Sequence, residues 1–136
     1  MKKVISLILV FASLFTALLI PVQAAQPDEI SPQYVTAKNA YTHLAIGSSG
    51  DISITARLTG FSDVTEISVT TVLEKEIENI WGRVLIGPWT YSVNSSSLVK
   101  VFTGQINARG NYRAISTFTV TGNIVETITV IDECIY

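Results

Sequence analysis

The sequence predicts an all-β fold, a β-sandwich of seven to eight antiparallel strands that follows an N-terminal signal helix. From Tyr41 onward, apolar residues recur at every second position, as they do in strands with one buried face. Threonine, valine and isoleucine dominate these stretches and are typical of pleated, half-buried surface. Turn residues separate the stretches at intervals of about 8–12 residues, the spacing of sandwiches and barrels.

The first residues have the features of a secretory signal peptide. Lys2 and Lys3 supply a positive n-region, residues 4–22 are almost entirely apolar, and residues 22–24 (Val-Gln-Ala) suit a signal peptidase. We therefore expect cleavage near Ala24 and a secreted, extracellular product. The alternative is a retained anchor, for which the apolar run has about the minimum length.

The predicted organisation has three parts. Residues 1–24 are the signal peptide, residues 25–40 a polar extended leader, and residues 41–136 a single β-sandwich domain. The whole chain has a net charge of −2, and loss of two signal-peptide lysines makes the mature part more acidic. This balance disfavours nucleic acid as a partner, and we expect no membrane association after cleavage.

Within the domain, the alternation predicts eight strands. In chain order they are residues 41–46, 51–59, 65–74, 80–86, 89–93, 98–103, 111–120 and 124–132. The two strands around Trp81 and Trp89 have the weakest alternation, because Gly87-Pro88 interrupts them and proline cannot donate to a central ladder.

Residues 110–114 (GNYRA) predict the type of sandwich. In immunoglobulin-like domains, a tyrosine near the start of a late strand stands two residues before a core cysteine, and its hydroxyl bonds back to the backbone. Tyr112 and Ala114 have this spacing, with alanine in the place of the cysteine. We therefore predict an immunoglobulin-like sandwich; a core tyrosine after a glycine turn is the alternative.

The last hairpin is predicted to turn over two residues, Gly122 and Asn123, because glycine supplies the positive φ of a type II′ turn. This register pairs Val120 with Val125. A three-residue loop would instead place Glu126 on the buried face of the hairpin, and burying an unpaired carboxylate costs several kcal/mol. The two-residue register is therefore the prediction.

This register has a consequence for the outer face of the hairpin. It places Ile115, Ile128 and Val130 there as an aliphatic cluster among polar residues. Such a cluster is either covered by another part of the chain or used for association. We take it as a candidate binding surface.

Three aromatic residues form a second candidate binding surface. Trp81, Trp89 and Tyr91 lie close together in the sequence, and their rings suit stacking on carbohydrate. The alternative is that these rings fill the space between the two sheets.

Glu74, Glu76 and Glu78 are the one group of carboxylates in the sequence that suggests acid–base or metal chemistry. A solvated, charged hairpin tip is the alternative. His43 is the only histidine, and phosphate-binding loops and Cys/His metal spacings are absent from the sequence. We therefore predict no catalytic, cofactor-binding or metal site and a protein that is not an enzyme.

Cys134 is the only cysteine in the sequence, so no disulfide can form within the chain. In an oxidising compartment, an unpaired thiol is a means of forming a dimer. The alternative is a small, half-buried residue at the end of the last strand.

Several phrases of the sequence together resemble a family of small exported proteins of Gram-positive bacteria. They are residues 46–56 (IGSSGDISITA), residues 73–76 (LEKE), Trp81, residues 110–114 (GNYRA) and residues 126–129 (ETIT). The chain is similar, from about His43 to Ile131, to the domain-of-unknown-function family catalogued as 6147. The resemblance implies a secreted β-sandwich, with no known activity and no catalytic residues to transfer.

The sequence is thus interpreted as a secreted, non-enzymatic binding or cell-surface interaction module whose partner is a cell-surface protein or a glycan. A small bacteriocin-like effector is the alternative function. A glycan-acting enzyme that uses Glu74, Glu76 or Glu78 is a third and weaker hypothesis.

Overall fold

The computed structural model describes residues 33–84 and 86–136. The predicted signal peptide and the first half of the predicted leader, residues 25–32, lie outside the described residues. Within the described part of the chain, no helix is long and apolar enough to cross a membrane.

Eight antiparallel strands confirm the all-β prediction. They are β1 (Ala37–Ile46), β2 (Asp51–Gly60), β3 (Glu66–Ile77), β4 (Ile80–Arg83), β5 (Trp89–Val93), β6 (Ser97–Gln105), β7 (Asn111–Thr121) and β8 (Val125–Ile135). The first strand begins earlier than predicted, at Ala37, and β3 continues to Ile77 before a tight turn. At that turn Glu78 and Asn79 have φ values of 52° and 64°, as the central residues of a type I′ hairpin require.

The strands form two sheets. Three strands make one sheet in the order β1-β2-β6, and five make the other, in the order β4-β3-β7-β8 with β5 also on β3. Strand β5 pairs with Ile67–Thr71 and β4 with Glu74–Ile77, so the two short strands lie end to end along one edge of β3. Pro88 lies between them and interrupts neither ladder.

The core lies between the two sheets, because the alternating apolar residues of both sheets point inward. On β2, Ile52, Ile54, Ala56 and Leu58 are all buried, as their period of two predicts. A buried side chain of this kind stabilises the fold by about 1.5–3 kcal/mol relative to an exposed one. The facing residues from the second sheet include Ile67, Val69, Leu73, Tyr112, Ala114, Phe118 and Val120.

A chain of buried hydroxyl groups crosses the core. The Ser116 hydroxyl on β7 lies 2.9 Å from that of Thr42 on β1 and 2.9 Å from that of Thr71 on β3. Each of these three buried hydroxyl groups therefore has a hydrogen-bond partner, and together they link the two sheets without a disulfide.

Tyr112 occupies the corner at the start of β7. Its hydroxyl donates a hydrogen bond to the Ala108 carbonyl at 2.6 Å, four residues upstream. Burial raises the pKa of the Tyr112 hydroxyl, and the neighbouring Tyr136 raises it further. The hydroxyl therefore stays protonated and keeps its role as donor.

The predicted register of the last hairpin is wrong by one residue. Thr121, not Val120, is opposite Val125, and the loop contains three residues, 122–124. Glu126 consequently pairs with Val120 and lies on the inner side of the sheet. The error came from treating this carboxylate as unpaired, because its partners lie far away in the sequence.

Glu126 accepts hydrogen bonds from the segment just before β1. The Thr36 hydroxyl donates at 2.6 Å, the Thr36 backbone N–H at 2.7 Å and the Val35 N–H at 3.1 Å. These bonds, the one from the Thr36 hydroxyl above all, hold the pKa of Glu126 below its usual value although burial acts in the opposite direction. The carboxylate is thus fully satisfied as an anion.

A second carboxylate of β8 makes a similar contact with β1. Asp132 accepts a hydrogen bond from the Leu44 backbone N–H at 2.8 Å, and it lies 3.1 Å from Nδ1 of His43. We call Glu126 and Asp132, with the β1 groups that they hold, the carboxylate seam. It closes the side of the sandwich where the edge strands β1 and β8 meet.

The opposite side, between β5 and β6, is closed by aromatic rings. Trp89 stacks on Phe102 with ring centroids 6.1 Å apart and an interplanar angle of 24°. Beside them, Nζ of Lys100 lies 4.5 Å from the centre of the Tyr91 ring. We call these four residues the aromatic seam.

Candidate binding surface

The outer face of the five-stranded sheet carries two rows of hydroxyl groups. They arise because β3, β5, β7 and β8 each have serine or threonine at two consecutive outward positions, in matching register. One row is Ser92, Ser68, Thr119 and Thr127, and the other is Thr90, Thr70, Thr117 and Thr129. Because neighbouring strands lie about 4.8 Å apart, each row places four hydroxyls within about 14 Å.

The next row along the sheet is aliphatic. Val72 on β3, Ile115 on β7 and Ile131 on β8 are directly opposite one another, and Ile131 is 49% exposed. Ile115 is therefore on the outer face, as predicted.

Ile128 and Val130 are not on this face, and their predicted outward position is wrong. Ile128 is only 2% exposed, and Val130 packs against the same core. The one-residue difference in register moves every side chain of β8 to the other face of the sheet. Ile131 takes the outward position that the sequence interpretation had given to its neighbours.

A charged row follows the aliphatic one. Arg113 on β7 makes an ion pair with Glu74 on β3, with 2.7 Å between Nη2 and Oε2. The Arg113 guanidinium also lies 4.4 Å from the centre of the Trp81 ring. Glu133 is opposite Arg113 on its other side, so the row alternates in sign.

Trp81 stands at the edge of an open cleft of about 300 Å³. On its floor, the Asn111 side-chain amide donates a hydrogen bond to Oε2 of Glu76 at 2.7 Å. Glu133 and Cys134 complete the walls on the β8 side. The cleft thus offers an indole ring, an amide and two carboxylates to a polar ligand.

The three aromatic residues of the predicted platform do not lie together. Trp89 and Tyr91 are opposite Thr71 and Val69, on the inner side of the sheet, and both belong to the aromatic seam. Trp89 packs against the core between the sheets, which was the alternative interpretation, whereas Tyr91 is 38% exposed at the border of the aromatic seam. Of the three, Trp81 alone borders the outer face.

The acidic cluster is divided by the fold. Glu74 and Glu76 lie on the outer face and interact with Arg113 and Asn111, whereas Glu78 lies in the β3–β4 turn. In the parts of the chain that the structure describes, no three His, Cys, Asp or Glu side chains lie close enough together to hold a metal ion.

Cys134 lies near the end of β8 with its side chain half-buried. Its Sγ is 3.7 Å from the Ile135 carbonyl, and the residue lines the cleft beside Trp81. Dimer formation through this thiol stays a prediction.

The row pattern on the outer face was missed by the sequence interpretation. The signal was present, because serine and threonine recur at alternate positions of β3, β5, β7 and β8. The alternating residues can be recognised as rows only when the registers of the β3–β5, β3–β7 and β7–β8 pairs are known.

Comparison with known proteins found no match among protein-family models, curated proteins or solved structures. The resemblance to a domain-of-unknown-function family therefore stays a prediction.

Proposed function

We propose that this protein is a secreted, non-enzymatic binding module that holds a glycan of the cell surface on the outer face of its five-stranded sheet. The observation that carries the proposal is the pair of hydroxyl rows, bordered by the aliphatic row; Trp81 lies further along the same face, beyond the charged row. This face combines polar and apolar groups in a regular arrangement, as a sugar polymer does.

The chemistry of the rows suits a polyhydroxylated ligand. Each serine or threonine hydroxyl both donates and accepts, so it can match either end of a sugar hydroxyl. The aliphatic row suits the apolar C–H faces of pyranose rings. Repetition of the same groups along a polymer adds avidity to contacts that are individually weak.

An immunoglobulin-like architecture is part of the proposal. The order β1-β2-β6 against β3-β7-β8, with short extra strands on β3, corresponds to the two sheets of such domains. The hydrogen bond from the Tyr112 hydroxyl to the Ala108 carbonyl supports it further, because immunoglobulin-like domains have this bond at the same corner.

The contacts of the glutamates favour binding over catalysis. Glycoside hydrolysis needs one carboxyl group free to give a proton and another free to attack or to activate water. Glu74 is paired with Arg113 at 2.7 Å, and Glu76 accepts a hydrogen bond from Asn111. The carboxylates of Glu74 and Glu76 are therefore engaged in contacts within the protein and are not free for these two roles.

The test is co-sedimentation of the secreted protein with purified Gram-positive cell-wall sacculi. We expect Thr70→Ala, Thr117→Ala and Thr129→Ala, combined in one variant, to weaken binding at least tenfold, since each hydrogen bond contributes about 0.5–1.5 kcal/mol. These residues are half-buried or exposed, so the fold tolerates the change.

A matched control removes three hydroxyls from the other sheet. Ser53, Thr55 and Thr103 lie on the outer face of the three-stranded sheet, and their replacement by alanine leaves binding unchanged. Equal binding by the two triple variants would overturn the proposal. Growth inhibition of neighbouring bacteria without wall binding would support the bacteriocin-like alternative instead.

A further inference from the structure

A second cleft opens on the inner side of the β3–β4 hairpin. It has a volume of about 390 Å³ and lies between this hairpin and the segment that joins β6 to β7. Ile106 and Tyr112, both buried, form its floor, and Ile77 stands at its rim with 61% of its surface exposed. Its size and apolar floor are those of a site for a small ligand.

Two glycines leave space in this cleft and beside it. A Cβ atom added to Gly82 meets no atom within 4 Å, so the space above this residue is empty. A Cβ atom added to Gly110 would lie 2.8 Å from Cε of Lys75, so the missing side chain leaves room for the lysine stem. Lys75 is directly opposite Gly82 in the β3–β4 ladder and borders the empty space.

The cleft carries positive charge that its surroundings do not neutralise. Nζ of Lys75 lies 5.7 Å from the centre of the Tyr112 ring, and Arg83 stands at the rim. Within residues 33–84 and 86–136, no carboxylate lies within 4.0 Å of either cation. Glu74, opposite Arg83 in the ladder, is paired with Arg113 instead.

We propose that this cleft binds a small aliphatic carboxylate, a fatty-acid-like anion. The carboxylate of the ligand lies at the Lys75 ammonium, and its hydrocarbon chain covers Ile106 and Tyr112. An apolar floor beside unneutralised cations selects a ligand that is both apolar and anionic, and each methylene buried raises the affinity about fourfold. This site lies on the opposite side of the hairpin from Trp81 and is independent of the glycan-binding face.

The experiment is isothermal titration calorimetry of the secreted protein with octanoate, butanoate and octylammonium. We expect octanoate to bind, butanoate to bind much more weakly because its chain is short, and octylammonium not to bind because it has the wrong charge. No heat from octanoate at millimolar concentrations would overturn the proposal, and so would equal affinity for octylammonium.

Two variants test whether the ligand binds in this cleft. Gly82→Leu places an isobutyl group in the open space, where an added Cβ meets no atom within 4 Å, and abolishes octanoate binding. Lys75→Gln weakens the binding about tenfold, as loss of one partly buried ion pair does. Lys100→Gln is the matched control, because Lys100 also lies over a tyrosine ring but belongs to the aromatic seam. Amide NMR spectra verify that each variant is folded.

Octanoate affinity that is unchanged in the Gly82→Leu variant would overturn the location. A second arm uses a tripeptide that ends in leucine; binding tighter than that of octanoate would overturn the fatty-acid-like ligand in favour of a peptide terminus. Because Gly82→Leu leaves the hydroxyl rows intact, sedimentation with cell-wall sacculi is unchanged by it. Failure of the octanoate proposal can therefore be distinguished from failure of the glycan-binding proposal.

Discussion

The two open sides of the sandwich are closed by different chemistry. On the β1–β8 side, the carboxylates of Glu126 and Asp132 accept hydrogen bonds from backbone N–H groups of Thr36 and Leu44. On the β5–β6 side, Trp89 stacks on a phenylalanine ring and no comparable polar contact is present among the described residues. Edge strands left uncovered invite pairing with other chains, and the carboxylate seam occupies backbone N–H groups at Val35, Thr36 and Leu44.

The two seams depend on different interactions. The carboxylate seam is directional, and the hydrogen bonds to Glu126 lower the pKa of this carboxyl group, so its contribution to stability responds to pH. The aromatic seam excludes water from a large apolar area, so it contributes more to stability and is insensitive to mild acid.

The largest effect is expected from Trp89→Ala in the aromatic seam. Removing a half-buried indole from its contact with Phe102 lowers the free energy of unfolding by about 2–4 kcal/mol. Urea unfolding at neutral pH measures it. Trp81→Ala is the control, because Trp81 lies at the outer face, and we expect a loss of about 1 kcal/mol. Equal losses would contradict the assignment of Trp89 to the seam.

A smaller effect, and a dependence on pH, is expected from Glu126→Gln. The change weakens the bonds to Thr36 and Val35 and lowers the free energy of unfolding at pH 7 by about 1–2 kcal/mol. The folded pKa of Glu126 lies below its unfolded value of about 4.3. The stabilisation is therefore complete above that value and is lost as the pH falls through the folded pKa.

Urea unfolding at pH 7 and at pH 3 measures this dependence, and the difference between the variant and the unmodified protein decreases in acid. Glu133→Gln is the control, since Glu133 lies on the outer face of the same strand. A difference of the same size at both pH values would show that the contact of Glu126 with Thr36 and Val35 does not depend on ionisation of this carboxyl group.

The smallest effect is expected from Lys100→Gln. Its ammonium lies over Tyr91 at the solvent-exposed border of the aromatic seam, so its loss costs less than about 1 kcal/mol in unfolding free energy. Urea unfolding measures this as well. A loss as large as that of Trp89→Ala would mean that the cation, not the stacked indole, holds this side together.

Much of the fold could be predicted because the relevant signal is local. Ile52 and Leu58 alternate with polar residues along β2, and the alternation correctly predicts that they are buried. Tyr112 after Gly110 predicted the hydrogen bond to the backbone upstream. In each case the covalent geometry of a strand or a turn determines where the side chain points.

The register of the last hairpin could not be derived in the same way. The sequence argument rested on the turn preference of Gly122 and Asn123 and on the cost of an unpaired Glu126 inside the hairpin. That cost is avoided by Thr36, which is 90 residues away along the chain. The predicted outer positions of Ile128 and Val130 were wrong for this single reason.

The sequence by itself determined the strands, the alternation of side chains within each strand and most of the core, because a period of two is a property of the backbone within each strand. Only the tertiary structure decided how the strands pair. The pairing in turn determines the hydroxyl rows and the two seams, and it places Trp81 and Trp89 on opposite sides of the sheet. The physical reason is that register and burial depend on contacts between residues far apart in the chain. Those contacts decide whether a buried polar group such as Glu126 is a cost or a source of stability.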